Sequence, residues 1–373
     1  MVFAATDRAA YSRISTNLLA MYKHNPALRG AVSRIAVSVA QVKWHVLVSG
    51  EERKSHPLSL LMAKPNENFT LSTIIELTQI CLDIVGECFW IVTKNDSGTP
   101  VMIDFMPPQE LRRRPDSGQN YYLFGGIAGN EVKISPENVI WIRTPDIMNP
   151  IGKASGTAEA LTDEIDIDEA ASQYIMATLV NQAMPHAVIH LKGLGKEQTE
   201  RFRQNWEERN RGPNRAGRTH VVSTPENTDI EVKRFDSPFN ELRLIEMREA
   251  EDRRIRETYA IPPEIMGHNV GGTRGTIYSA REIFADNIVQ PRLERIRGEL
   301  MSKLVPMFRD SNRLNLTFDD PKPINNDFRL EAMKANPQTV TINEWRAIQG
   351  LEPITDGDKL FQPSFMNQSS TKS

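Results

Sequence analysis

The chain has 373 residues, 39% of them hydrophobic and 25% charged, and a formal net charge of −3. This is the composition of an ordinary folded protein. The near-neutral balance excludes one that wraps nucleic acid tightly, because that needs many uncompensated Lys and Arg.

No basic segment followed by an apolar run opens the chain, so no signal peptide is expected. The apolar stretches break well short of the ~18 residues of a membrane span. The expectation is a chain made in cytosol with no membrane contact. Cys81 and Cys88, the two cysteines, lie seven residues apart among apolar neighbours. That is not a metal-ligand spacing, and they read as buried free thiols.

In chain order, Leu28, Val32, Ile35, Ala36 and Val39 form one stripe and predict a helix over 26–40. A strand follows around Trp44, Val46 and Val48. Ser55, Pro57, Leu58, Leu61 and Met62 predict a short capped helix with Pro in its first turn. Pro65-Asn66-Glu67-Asn68 is turn chemistry, and Thr70 caps a helix with the stripe Ile74, Leu77, Cys81 and Ile84, ended by Gly86. From 87 to 143 the period becomes two. Strands are expected at 88–92, 101–106, 121–124, 131–134 and 139–143, with turns at Asn95-Asp96-Ser97-Gly98 and Gly125-Gly126. The result is a mostly antiparallel β-region flanked by helices, an α+β pattern.

A long helix is predicted over 156–180, stopped by Pro185. Residues 186–236 read as an insertion: a strand at 187–191, a helix at 196–210, a Gly/Asn loop, and strands at 220–222 and 230–235. A second long helix covers 237–259 and ends at Ile261-Pro262-Pro263. A Gly-rich segment over 267–275 leads to a third helix at 278–304, which Pro291 should kink. Residues 313–318 alternate like a strand, Thr341 with Glu344 is a capping box, and the tail 369–373 is polar and expected to be disordered.

Few motifs carry chemistry. Gly212-Pro213-Asn214-Arg215-Ala216-Gly217-Arg218-Thr219 nearly satisfies a phosphate-binding loop. However, Arg218 replaces the lysine, and a helix precedes and a strand follows, the reverse of the required order. A nucleotide-binding enzyme built on that turn is the alternative reading; a surface turn is preferred. Zinc spacings and nucleophile elbows are absent from the sequence, so neither enzymatic activity, a cofactor nor a metal is expected. The acidic run Asp163, Glu164, Asp166, Asp168, Glu169 reads as a solvated helix start, or else as a wall facing nucleic acid or a neighbouring subunit. Residues 240–257 are dense in both signs, with a thin apolar remainder of Leu244, Met247 and Ile255. Such a helix is either solvated and laced by i,i+4 pairs or packed against copies of itself.

The stretch 242–267 ends RRIRETYAIPPEIMG. It resembles the tailed-phage portal family, in which a charged helix ends in a Val/Ile-Pro-Pro turn before a Gly-rich loop. The matching residues are Glu246, Arg248, Ile255, Tyr259, Ile261, Pro262, Pro263 and Gly267. Further pieces fall in the family's order: Asn25-Pro26, Trp44, His56-Pro57-Leu58, Lys64-Pro65-Asn66, Gly86-Glu87-Cys88-Phe89-Trp90, the turn with Gly212, Asn214, Gly217 and Arg218, and Thr341-Ile342-Asn343-Glu344-Trp345-Arg346 with Leu351, Pro353 and Gly357-Asp358. Asn181-Gln182-Ala183 departs from it, since the family often has glycine after the asparagine.

The resemblance implies an α+β portal fold. It divides the chain into a wing (1–158), a stem helix (159–185), a clip (186–236), a second stem helix (237–262), a tunnel loop (263–277), a kinked helix with a wing strand (278–324), and a crown with the C-terminal tail (325–373). It implies a ring of twelve copies forming a DNA channel at one capsid vertex of a virion, assembled in host cytoplasm. The genome would be packaged through this ring and later ejected, and the ring would join head to tail. The implied partners are the terminase large subunit, a head–tail adaptor, the major capsid protein and double-stranded DNA held without sequence specificity. His268, Asn269, Gly271, Gly272, Thr273 and Arg274 would face DNA; Arg211, Asn214, Arg215 and Arg218 would dock motor and connector; Pro262, Pro263 and Pro291 would shape the backbone. A cellular ring-forming adaptor is a third reading.

Overall fold

The computed structural model describes residues 7–116, 118–125, 131–152, 154–181, 187–192, 195, 197, 200–201, 204, 229–234, 244–267, 273–323 and 326–360. They fall into two compact units, Met1–Pro321 and Lys322–Ser373.

The first unit opens with helix α1 (Asp7–His24), then α2 (Pro26–Ala40). Asn25 starts α2: its side-chain oxygen accepts from the Leu28 amide at 2.8 Å, and Pro26 supplies a preset φ where no donor is needed. The predicted stripe is buried, with Leu28, Val32, Ile35 and Val39 at 0% exposure. It packs on α4 (Leu71–Ile84), which Thr70 caps as expected. Cutting Ile35 back to Ala would cost roughly 2–5 kcal/mol. Between these helices lie β1 (Trp44–Val48), β2 (Glu51–Glu52) and α3 (Pro57–Ala63). The cap of α3 is His56, whose Nδ1 accepts from the Leu58 amide, rather than Ser55. An imidazole can satisfy an orphan amide as a hydroxyl does.

Three antiparallel strands form the central sheet in the order β4 (Pro100–Met106), β3 (Glu87–Lys94), β8 (Val139–Arg143). Phe89 pairs with Met106 on one side and Trp141 on the other. A second small sheet, β5 (Leu111–Arg113), β6 (Tyr122–Gly125) and β7 (Glu131–Ile134), closes a satellite core of Phe89, Leu111, Tyr122, Phe124 and Val139. Strand β11 (Leu314–Phe318) returns to pair with β1.

Gly86 ends α4 at φ +89°, and a Cβ there would lie 2.4 Å from the Ser155 carbonyl carbon. Gly156 approaches from the other side, where a Cβ would fall 2.3 Å from the Ile84 carbonyl oxygen. Two backbones meet where side chains cannot fit. Beyond this contact, the long helix predicted from 156 begins as a 3₁₀ turn (Thr157–Leu161) and becomes α5 (Thr162–Asn181). In the insertion, β9 (Ala187–Lys192) pairs antiparallel with β10 (Asp229–Arg234). The expected strand at 220–222 and most of the expected helix at 196–210 lie outside the described residues.

The second long helix is described as α6 (Leu244–Thr258). The third begins earlier than expected. Thr273 caps α7 (Arg274–Phe284), a π-turn spans Ala285–Val289, and α8 runs from Gln290 to Lys303. Pro291 therefore stands just past a π-turn within one continuous helical run from Arg274 to Lys303. The extra residue of the π-turn lets the Gln290 amide reach Ala285 O, so the ladder continues past the missing proline donor.

The second unit holds α9 (Asn326–Ala335) and α10 (Ile342–Ile348). The expected capping box is formed: Thr341 Oγ1 accepts from the Glu344 amide and Glu344 Oε2 from the Thr341 amide. Lys334, Pro337, Ile342, Trp345 and Leu351 line an open groove of about 590 Å³ in this unit. No described helix is long and apolar enough to cross a membrane.

Candidate functional site

The segment 244–303 carries most of the predicted function, and it hangs from one buried node. Helix α6 is charged along its length, and Glu246 to Ala250 are all exposed, as are Arg253, Arg254, Glu257 and Thr258 further on. Its second half is anchored in the main core by Ile255 at 1% and Tyr259 at 2% exposure. The expectation that this helix buries little of itself thus holds for the N-terminal half and fails for the C-terminal half.

Tyr259 donates from its hydroxyl to the Asp83 carbonyl at 3.2 Å, and burial pushes its phenol well above the usual range. The Asp83 carboxylate is buried, pairs with Arg292 at 3.0 Å and accepts from Gln79 at 2.9 Å. Arg292 also donates to Ile288 O inside the π-turn. Helices α4 and α8 and the end of α6 are therefore tied through one residue, Asp83, whose carboxylate takes Arg292 and whose backbone carbonyl takes Tyr259.

After Tyr259, Ala260 adopts φ +54° and closes α6, the Ile261 amide reaching back to Arg256 O at 3.0 Å. Pro262 and Pro263 then prevent continuation and lead into a 3₁₀ turn (Pro263–Met266) ending at Gly267, φ +85°. His268, Asn269, Gly271 and Gly272 lie outside the described residues. Thr273 is the helix cap, its Oγ1 accepting from the Thr276 amide, and Arg274 is the first helical residue of α7. Residues 274–277 are thus helix, a correction to the expected loop. The docking residues Arg211, Asn214, Arg215 and Arg218, and the whole phosphate-loop-like turn 212–219, lie outside the described residues.

Asp163, Asp166 and Glu169 of the acidic run are exposed, as in a solvated helix start, whereas Asp168 is half-buried. Asp168 accepts from Arg248 of α6 at 3.0 Å and from Asn25, the cap of α2, at 3.1 Å. It holds both stem-region helices to the first-unit core. Among the described residues no three His, Cys, Asp or Glu side chains gather as a metal site. Cys81 and Cys88 are buried free thiols; burial pushes Cys81 up to about 12, with the Glu87 charge adding to the shift.

Sequence reasoning missed a second node. Glu87, fully buried at the start of β3, binds Arg114 through both oxygens at 2.7 and 2.9 Å and accepts from Trp141 Nε1 at 2.7 Å. Arg114 and Arg143 both lie over the Trp141 ring, at 4.9 and 4.0 Å from its centroid. A lone acid opening an otherwise apolar strand was the available signal, since a buried charge requires a partner.

The comparisons agree with this geometry. The family model for phage portal protein matches residues 26–350. An uncharacterized protein of Rickettsia bellii (strain RML369-C) is 25% identical over 362 residues, covering 91% of this chain and 90% of that one. Among solved structures, the neck of a native gene transfer agent particle computed with C12 symmetry is 20% identical, with a TM-score of 0.63, covering 92% of this chain and 94% of that chain. An HK97 family phage portal protein from Corynebacterium diphtheriae is 17% identical, with a TM-score of 0.55, covering 84% and 97%. With the α+β fold shared over most of its length and the family model spanning all but its ends, this chain belongs to the phage portal protein family.

Proposed function

We propose that twelve copies of this chain close into a ring at one vertex of a virion, forming the channel through which double-stranded DNA enters and leaves. The observation that carries the reading is the shared fold with a particle neck of twelvefold symmetry over 92% of the chain. Helix α6 supports it: a charged helix anchored at one end and exposed over Glu246 to Ala250 suits a subunit contact around a channel. The net charge of −3 also suits a conduit, because a strongly basic wall would hold phosphates through counterion release.

In this reading residues 1–158 are the wing, 159–185 and 237–262 the stem, 186–236 the clip that docks the terminase large subunit and later the head–tail adaptor, and 325–373 the crown. The Gly-rich residues from Gly267 to Arg274 line the tunnel, and the major capsid protein surrounds the wing. The chain acts as a structural component, and the work of translocation belongs to a separate motor. The test is DNA protected from nuclease in particles assembled with and without this chain. Protection is expected only when the chain is present; equal protection without it would refute the proposal.

A further inference from the structure

We propose that the loop 145–152 is a knob that seats against the outer edge of β4 in a neighbouring copy of this chain, near Leu60, Phe69 and Val101. The proposal rests on the ring reading above and adds to it a specific contact.

The loop leaves β8 after Arg143 and is closed by a bridge between Pro145 and Ala154. Its polar groups are turned inward and satisfied. Asp146 Oδ1 accepts from the Met148 amide at 2.7 Å, and Asn149 accepts from the Gly152 amide through both its carbonyl and its side chain. Arg143 donates to Ile151 O at 2.7 Å, and Arg114 donates to Gly152 O. Those two arginines are themselves fixed on Trp141, Arg114 through the buried Glu87 as well. What the loop presents outward is apolar: Ile147 is 92%, Met148 88% and Ile151 80% exposed. A loop ordered before binding adds little entropy cost at association, and three large apolar side chains exposed together mark an interaction surface.

Toward the opposite corner of the same sheet three further apolar side chains are exposed. Val101 at the start of β4 and Leu60 on α3, which packs on β4, are 51% and 59% exposed. Phe69, 40% exposed, follows the segment that covers the edge of β4, where the Ile103 amide donates to Pro65 O. In the sheet order β4-β3-β8 the two patches lie on opposite edges. They also lie at opposite ends, because Arg143 pairs with Glu87 whereas the start of β4 lies beside Lys94. The loop therefore cannot cover the β4 patch of its own chain.

A closed ring needs two different surfaces on opposite sides of each subunit, whereas a two-fold dimer pairs one surface with itself. Head-to-tail packing covers both patches in every copy. Three exposed side chains on each side are a small surface beside the ~800 Å² per partner of a stable interface. It is thus one part of the contact, and its loss should weaken assembly rather than unfold the chain.

The test uses the full chain, whose own Cys81 and Cys88 are buried. Met148→Cys and separate single variants at Leu60, Phe69 or Val101 to Cys are each treated with a bismaleimide, alone and mixed. Covalent dimers are expected only in mixtures containing Met148→Cys. The double variant Ile147→Asp/Met148→Asp should keep its circular dichroism but need at least tenfold more protein for half-assembly. Cross-linking of Met148→Cys to itself would overturn the proposal in favour of two-fold pairing. Undiminished assembly of the Asp variant with no mixed cross-link would overturn it while leaving the ring reading intact. A wild-type chain that stays monomeric would remove both. Wild-type binding to phosphatidylcholine vesicles, lost in the Asp variant while rings persist, would assign the loop to lipid and refute the contact.

Discussion

Removing the Arg114 guanidinium isolates a buried carboxylate. Glu87 has no exposed side-chain surface and loses both Arg114 contacts in Arg114→Ala, while the bond from Trp141 Nε1 remains. Breaking a buried ion pair from one side costs about 3–5 kcal/mol, because the remaining charge is neither solvated nor paired. The lost stacking on Trp141, 4.9 Å away, adds about 0.5–1 kcal/mol. The expected loss is therefore about 3.5–6 kcal/mol. Adding Glu87→Gln removes the isolated charge and should recover roughly 2 kcal/mol, since a neutral amide is far cheaper to bury. Urea unfolding followed by tryptophan fluorescence at one protein concentration measures both, read as midpoint shifts at constant slope. A loss below about 1 kcal/mol in Arg114→Ala, or a double variant no more stable than the single one, would refute the argument that a buried charge dominates this node.

Other expectations follow from single positions. Gly86→Ala should cost about 2–4 kcal/mol, combining left-handed strain with a backbone clash 2.4 Å away. Gly98→Ala, at φ +77° with no described atom within 4 Å, should cost about 1–2 kcal/mol; equal losses in the two variants would deny the close contact. The protonated His45 ring donates from Nδ1 to Glu52 at 3.1 Å and from Nε2 to Asp319 at 2.8 Å, and these side-chain hydrogen bonds raise its pKa. The charged imidazole is thus the form that folding favours. Its contribution is fully present below the unfolded value near 6.5 and is lost as pH rises through the higher folded value. The stability gap between wild type and His45→Gln should shrink from about pH 5.5 to about pH 9, from no more than about 1 kcal/mol given the exposed, salt-screened site; a gap that grows with pH would contradict this. Arg274→Ala, or replacement of Gly271 and Gly272, should leave rings and particles normal while lowering nuclease-protected DNA, and full protection in both would remove these residues from the channel wall.

Periodic elements were readable from sequence because burial on one face imposes a period. The α2 stripe and the Thr70 and Thr341 caps obey it, whereas β3 is buried on both faces, Cys88 and Trp90 in the main core and Phe89 in the satellite core. Helix α1 was missed because nothing marks its start by a cap or its core side by a dense stripe; among its described side chains only Leu18 is fully buried. The π-turn was missed because a proline in a helical run reads as a kink, while the ladder shift that absorbs it leaves no sequence mark. The two buried nodes join residues far apart in the chain, Asp83 with Arg292 and Glu87 with Arg114, and single-sequence periodicity says nothing of such pairs. The loop 145–152 carries no period, and its Pro, Asn and Gly residues give no sign of the three apolar side chains it presents.

The account stands on the ring, and mass photometry of the purified full-length chain tests it most directly. Twelve copies of a 42.2 kDa chain give a particle of about 506 kDa, and electron-microscopy class averages of it should show twelvefold end views. A single species at the monomer mass, across a wide range of protein concentration and salt, would contradict it.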